Sequence, residues 1–381
     1  MPPDLGGAAL LVERAAINGF TVPVASARTP ADQPVPSAGG GCRLIPARDG
    51  GWVAINLARP DDRALLPALF CDDTLDPQDD SAIAARMALC DAGDSVARGR
   101  EMGLALASID EYPASTGMVV TAIGPRCAPP SGRPPLVVDL SALWAGPLAG
   151  HLLWRAGAEV VKVESRSRPD SMRDGDPGLF ALVNQGKASV ALDLRDPADR
   201  AALILLIERA DMVIEAARPR ALLQLGIDAD AIVARAPGLV WLTITGHGAA
   251  QTATGSAADW VGFGDDCSVA GGLSDALREA TGRIGFGGDA LADPISGIVA
   301  AHTLWNRWSR GEGARIILSM SAIVRTALDR ERLNDPATFS TDLKHWVAAA
   351  GHPIAPGPAR TPIAPVAPLG RDNALWLGGT R

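Results

Sequence analysis

Between Leu136 and Thr245, short apolar runs of strand length alternate with stretches of helix length, and this alternation restricts the fold more than any other feature of the chain. Leu136–Leu140, Glu159–Val163, Ala188–Leu194, Asp211–Glu215 and Leu239–Thr245 read as strands. Between them, Pro147–Arg155 reads as a helix closed by Gly157, Pro197–Ala210 as a helix opened by its proline, and Arg220–Leu225 as a short helix. Strands that are predominantly apolar, with helices between them, predict an α/β fold: a Rossmann-like, doubly wound parallel sheet with helices on both faces.

The flanking segments lack this rhythm. Residues 1–124 read as a second, smaller α+β domain, with a Pro/Gly-rich piece from Thr29 that ends in Gly39-Gly40-Gly41. A strand over Gly51–Leu57 and helices over Ser81–Cys90 and Ser95–Ala107 follow. Residues 125–135 are proline-rich and read as a linker, 136–330 as the sheet domain, and 331–381 as a C-terminal helix and Pro-rich tail. The triple glycine is either a flexible linker or a mobile loop whose bare N–H groups close over an anionic centre.

A chain of 381 residues, 47% of them hydrophobic, can bury two cores of this kind. Its net charge is −8, with no Lys/Arg-rich run, which argues against nucleic acid as a partner while leaving room for a phosphorylated small molecule in a local pocket. The five cysteines are far apart, odd in number and outside any CxxC, so they predict free thiols and a reducing, cytoplasmic location. Neither a signal-peptide pattern nor an 18-residue apolar run is present, so no membrane association is expected.

Several chemistries drop out on motif grounds. Ala145-Gly146-Pro147-Leu148-Ala149-Gly150 is not GxGxxG, and its small residues suit close packing of a helix on the sheet; no P-loop occurs. His151, His247, His302, His345 and His352 show no metal-ligand spacing and no Gly-x-Ser-x-Gly partner, so neither a metal nor a serine nucleophile is expected. What remains is Gly287-Gly288-Asp289-Ala290-Leu291-Ala292-Asp293-Pro294-Ile295-Ser296-Gly297, which sets an acid among glycines at the start of an apolar helix. Asp293 reads either as an N-cap, with Pro294 in the first turn, or as a reactive carboxylate whose flanking glycines admit a ligand.

Three segments bear on that choice: Val137–Pro147, which opens on Val-Val-Asp-Leu, Gly157–Glu164, which ends in Val-Val-Lys-Val-Glu, and Asn184–Leu194, which opens on Asn-Gln-Gly-Lys. In order and spacing they resemble the class III CoA-transferases, which include formyl-CoA:oxalate and carnitine CoA-transferases and 2-methylacyl-CoA racemases, over roughly residues 135–325. The resemblance implies an enzyme whose substrates are an acyl-CoA and a carboxylic acid acceptor, with coenzyme A the only cofactor and no metal. It implies a covalent nucleophile at Asp293, and a glycine-rich cover that Gly39, Gly40 and Gly41 resemble. In the family that cover follows the aspartate; here it precedes it, so the order looks permuted. A homodimer is implied as well.

The same resemblance puts Trp144 and Ala145 beside CoA and Leu192, Asp193, Leu194 and Arg195 near its adenosine end. The family's basic residue after Lys-Val-Glu is Ser165 here, its Asn-Phe pair is Ala216-Ala217 and a further arginine is Gln224, so Arg166, Arg168 or Arg218 would have to supply the phosphate contacts. Racemases of the family carry a His where this chain has Phe263, in Gly262-Phe263-Gly264, and phenylalanine cannot exchange a proton. Asp265 and Asp266 just beyond read as a turn. The readings are therefore a CoA-transferase, with a racemase or a non-catalytic CoA-binding relative or partner subunit as alternatives.

Overall fold

The computed structural model describes residues 34–59, 61–217, 219–252, 255–349 and 361–377. Its larger sheet has seven strands: β5 (Met118–Gly124), β6 (Leu136–Asp139), β7 (Glu159–Ser165), β8 (Ala188–Leu192), β9 (Met212–Glu215), β10 (Val240–Thr245) and β13 (Gly313–Ser319). Their order is β5-β13-β10-β9-β6-β7-β8, parallel throughout except for β5, which runs antiparallel to β13. The intervening β11 (Gln251–Thr252) and β12 (Gly255–Ser256) form only a short ladder of their own. This is a mixed α/β fold dominated by a parallel sheet.

Side chains alternate across each strand and build a core on either face. Val137, Val160, Ile214, Leu242 and Ile316 pack with the helices Ala145–Arg155 and Ala292–Ser309. Val138, Val161, Val213 and Trp241 pack on the other face with the helices Pro197–Glu208 and Ala229–Arg235. Small residues set the helix spacing. A Cβ on Gly146 would lie 2.2 Å from the Ser141 side chain and one on Gly150 2.9 Å from Asp139 Oδ2, so the first helix sits hard against the end of β6.

A separate four-stranded antiparallel sheet comprises β1 (Val35–Pro36), β2 (Cys42–Pro46), β3 (Trp52–Asn56) and β4 (Ala105–Ser108). Ile45, Val53 and Ile55 pack under the helices Asp80–Met87 and Ala92–Glu101. The opposite face, with Cys42, Leu44, Ala54 and Ala107, packs on Val269 and Ala270 of the helix Gly264–Ala270 and on Phe286. The sheet is thus clamped against the segment that leads to Asp293.

Two expectations change. The helix expected over Ser95–Ala107 stops at Glu101, and Ala105–Ser108 is a strand, because Leu106 and Ala107 each bury a face that a helix would not align. Strand β5 belongs to the larger sheet, so the boundary drawn at 124 falls after the chain has already crossed over. Where it is described, the proline-rich end is tied to the larger sheet. Asp372 N–H donates to Ser189 O, the Asp372 carboxylate accepts from Ser189 N–H and Asn373 bonds Ala191, which covers the open edge of β8. Among the described residues no helix is long and apolar enough to cross a membrane.

Candidate active site

Asp293 occupies the first turn of the helix Ala292–Ser309, whose cap is Leu291, so it is not the N-cap that its position suggested. Its carboxylate instead accepts a hydrogen bond from the Ala145 N–H at the start of the neighbouring helix. Two helix N-termini therefore point toward one carboxylate, which favours its charged form. Their approach depends on Gly297, where a Cβ would lie 2.7 Å from Ala145 O. Gly264 closes the other side, where a Cβ would lie 2.2 Å from Asp293 Oδ2. The glycines at 287 and 288 serve packing rather than ligand approach: side chains there would strike Leu273 and Leu291.

The acids expected in a turn, Asp265 and Asp266, lie buried in the helix Gly264–Ala270. Asp265 accepts from Ala290 N–H at 3.0 Å and from the Ser37 side chain. Asp266 Oδ1 accepts from Phe263 N–H at 3.0 Å and Asn56 Nδ2 at 3.1 Å. Ser37 and Asn56 come from the four-stranded sheet, so two polar contacts pin that sheet to the acids beside Asp293. The charges do not coexist easily. Burial, followed by Asp265 and Asp266, pushes Asp293 up to about 8, while burial lifts Asp265 to about 6 and Asp266 to about 7.

Asp293 is half-buried and lines a cavity of about 250 Å³ with Ala145, Gly146, Trp260, Phe263 and Met320. Arg59, Ala142 and Ala217 are shared with a second cavity of about 810 Å³. That space is bounded by Ser141, Ser165, Leu194 and Glu215, residues at or just beyond the carboxyl ends of β6, β7, β8 and β9. Ligands of open parallel sheets bind in this crevice. The Arg59 guanidinium at the junction is held by Asp62 and by Gly103 O, and lies over the Phe263 ring at 5.9 Å.

Buried ion pairs shape the cavity's rim. Leu143 has a φ of 67°, in the left-handed region where a side chain is strained, and its N–H donates to Asp170 at 3.2 Å. Asp170 pairs with Lys162 at 3.0 Å, and Lys162 also donates to Ser141 O. Lys187 pairs with Asp139 at 2.8 Å, and burial lowers the lysine to about 8. Ala290, with a φ of 47°, is the matching strained residue before Asp293, and Asp265 holds its N–H. Both strained residues thus flank the same carboxylate.

The sequence-derived positions are distributed unevenly around this site. Ala145 lines the smaller cavity, and Leu194 and Arg168 line the larger. Trp144 packs against the core with its indole N–H buried and unpartnered. Arg166 donates to Ala191 O and faces Asp199, Leu192 is buried within β8, and Asp193 accepts from Arg195 N–H. Arg195 is exposed, and Arg218 lies outside the described residues. Gly39, Gly40 and Gly41 form the hairpin turn between β1 and β2 rather than a linker; a Cβ on Gly39 would lie 3.9 Å from Asp289 Oδ1. Sequence reasoning missed Ser37, Asn56 and Arg59, for which no local motif gives a signal. It also missed that His247, Asp266 and Cys267 gather their ligand atoms within 4.8 Å, because residues brought together by folding need no ligand spacing along the chain.

The sequence profile described as CoA-transferase family III matches residues 135–342. The chain is 34% identical over 204 residues to the succinyl-CoA–D-citramalate CoA-transferase of Chloroflexus aurantiacus, covering 48% of this chain and 49% of that one. It is 29% identical over 226 residues to the succinate–glutarate CoA-transferase of Agrobacterium fabrum, covering 54% and 56%. A crystal structure of a CAIB/BAIF family protein from Brucella suis aligns with a TM-score of 0.47 at 27% identity, over 54% of this chain and 57% of the other. The chain spans about half the length of the curated relatives it matches.

Proposed function

The chain belongs to CoA-transferase family III, a family of enzymes, and on that footing we propose that it moves CoA from an acyl-CoA to a carboxylic acid with Asp293 as covalent nucleophile. One observation carries the reading: a carboxylate fed by the Ala145 N–H lines a cavity that shares its wall with the crevice at the strands' carboxyl ends. A carboxylate is a weak nucleophile, but a thioester is an activated acyl group. Asp293 attacks the thioester carbonyl, forming a C–O bond as the C–S bond breaks, so that CoA leaves as thiolate and a mixed aspartyl–acyl anhydride remains. The thiolate then attacks the aspartyl carbonyl, releasing the donor acid and leaving an aspartyl-CoA thioester. The acceptor carboxylate attacks that thioester, and the freed thiolate takes the acceptor's acyl group from the second anhydride. Asp293 is regenerated, and no ATP is required.

The protein contributes position and dryness. The Ala145 N–H and the helix N-termini offer positive poles to the aspartyl oxygens, and the apolar wall of Ala142, Ala216, Trp260 and Phe263 keeps water from the anhydride. In this reading the four-stranded sheet, although it precedes residues 135–342, acts as the cover in an order permuted relative to the family; the contacts of Ser37 with Asp265 and of Asn56 with Asp266 support it. Phe263 in the wall offers no base for racemisation. The five free cysteines support a reducing, cytoplasmic setting, and a homodimer is the assembly this reading carries.

The test is intact mass after incubation with a panel of acyl-CoAs, with hydroxylamine trapping and an Asp293→Ala control. An acyl or CoA adduct that is lost in the variant supports the aspartyl mechanism. CoA binding with no adduct from any donor would leave a binding protein in its place.

A further inference from the structure

Behind the glycine wall of the Asp293 cavity, the buried side chains of His247, Asp266 and Cys267 each bring one ligand atom within 4.8 Å of the others. The backbone joins them from two places: His247 follows β10, and Asp266 and Cys267 lie in the helix Gly264–Ala270. Each side chain is already oriented. The His247 ring bonds the Val261 backbone through one nitrogen, while Nε2 is buried without a partner. Engagement of the first nitrogen by a backbone carbonyl fixes the tautomer and leaves Nε2 with an uncommitted lone pair. Asp266 commits Oδ1 to Phe263 N–H and Asn56, and its Oδ2 lies 3.8 Å from Cys267 Sγ. Outer hydrogen bonds of this kind typically hold first ligands in place at metal centres.

We propose that His247 Nε2, Asp266 Oδ2 and Cys267 Sγ bind a zinc ion. An imidazole, a carboxylate and a thiolate together suit a borderline-soft divalent cation in tetrahedral coordination, whereas calcium and magnesium favour oxygen donors alone. Bonds of about 2.0–2.3 Å to a tetrahedral centre set ligand atoms roughly 3.3–3.8 Å apart. The Asp266–Cys267 pair, at 3.8 Å, already has that spacing, and since all three atoms lie within 4.8 Å of one another, the others need close by no more than about 1–1.5 Å. As the S–Zn bond forms, the Cys267 thiol proton leaves to solvent, and the fourth position is open to water.

A route for the ion and its water is present. Gly246 and Gly262 line the smaller cavity, and a Cβ on Gly262 would stand 2.6 Å from Cys267 Sγ and 3.0 Å from His247 Nε2. Only the width of a glycine separates the cluster from the cavity. The cation would also bring positive charge among carboxylates that otherwise repel one another, Asp265, Asp266 and Asp293. The inference stands apart from the CoA-transfer reading, since it rests on none of that reaction's steps.

The experiment uses the full chain, incubated with zinc, dialysed against metal-free buffer and assayed for metal by elemental mass spectrometry. Stoichiometric retained zinc is expected, and cobalt in its place should show a thiolate-to-metal charge-transfer band. Cys267→Ala and His247→Gln should each abolish retention, with far-ultraviolet circular dichroism as the check on folding. Asn56→Ala, which removes the outer hydrogen bond to Asp266 along with the acceptor of the Ala58 N–H, should weaken zinc affinity roughly 10–100-fold. Wild-type protein that emerges free of zinc overturns the proposal, as does zinc held equally by both ligand variants. If those variants fail to fold, a wild-type cobalt spectrum without the thiolate band overturns it on its own.

Discussion

Replacing Gly264 with alanine puts a methyl group 2.2 Å from Asp293 Oδ2 and 2.6 Å from both Cβ and the backbone oxygen of Ala290. The carboxylate can swing, but the Ala290 oxygen belongs to a strained turn held by Asp265, so the displacement falls on Asp293. Reaching ordinary contact requires a retreat of about 1 Å, and misplacement of a reacting group on that scale lowers the rate by roughly 10²-fold. In an unobstructed helix the same substitution stabilises by about 0.5–1 kcal/mol. Overpacking at this position should outweigh that gain, at about 1–3 kcal/mol, for a small net loss of stability. Single-turnover adduct formation followed by intact mass, with urea unfolding of the same samples, measures both effects. Gly93→Ala is the control: a Cβ on that helical glycine would meet nothing within 4 Å, so the variant should gain stability without change in rate. A Gly264→Ala protein with the wild-type rate and higher stability would falsify the packing assigned around Asp293.

Four further outcomes follow from the structure. Asp293 rises from an ordinary carboxyl value of 3.8 to about 8, so its nucleophilic form grows as pH increases, and adduct formation should fall about tenfold per pH unit below that value. Because the folded protein holds this proton and the unfolded chain releases it near 4, stability should decline between pH 4 and 8 and then level off; Asp293→Asn should flatten the decline in urea titrations at several pH values. Lys187→Met leaves Asp139 buried without its cation and should lower stability by roughly 3–5 kcal/mol, read from the urea midpoint. Gly297→Ala forces a methyl to within 2.7 Å of Ala145 O, so it should separate the two helices at a cost of about 1–3 kcal/mol and slow adduct formation; a fully active, equally stable variant would contradict the role of Gly297 in their approach.

The strand–helix alternation from Leu136 to Thr245 was readable without coordinates because local periodicity and burial on both faces of the sheet demand the same residues. Pro197 and Gly157 marked helix ends for the same local reason. Strand Ala105–Ser108 was not legible, since the short run Ala-Leu-Ala-Ser fits either a helix or a strand until a partner strand selects one. Asp293 stood out by its glycine setting, yet whether it capped its own helix depended on Ala145, in a helix far earlier in the chain.

Local pattern specified the parallel sheet, the order of its helices and a carboxylate at the head of one of them, because periodicity and turn chemistry act within a few residues. Which groups share that carboxylate's surroundings was settled only by packing of distant segments. Ser37 and Asn56 reach Asp265 and Asp266 across more than 200 positions, and His247 meets Cys267 only when β10 and the helix Gly264–Ala270 pack together. Electrostatic coupling and metal-ligand geometry depend on distance in space, which no spacing along a chain encodes.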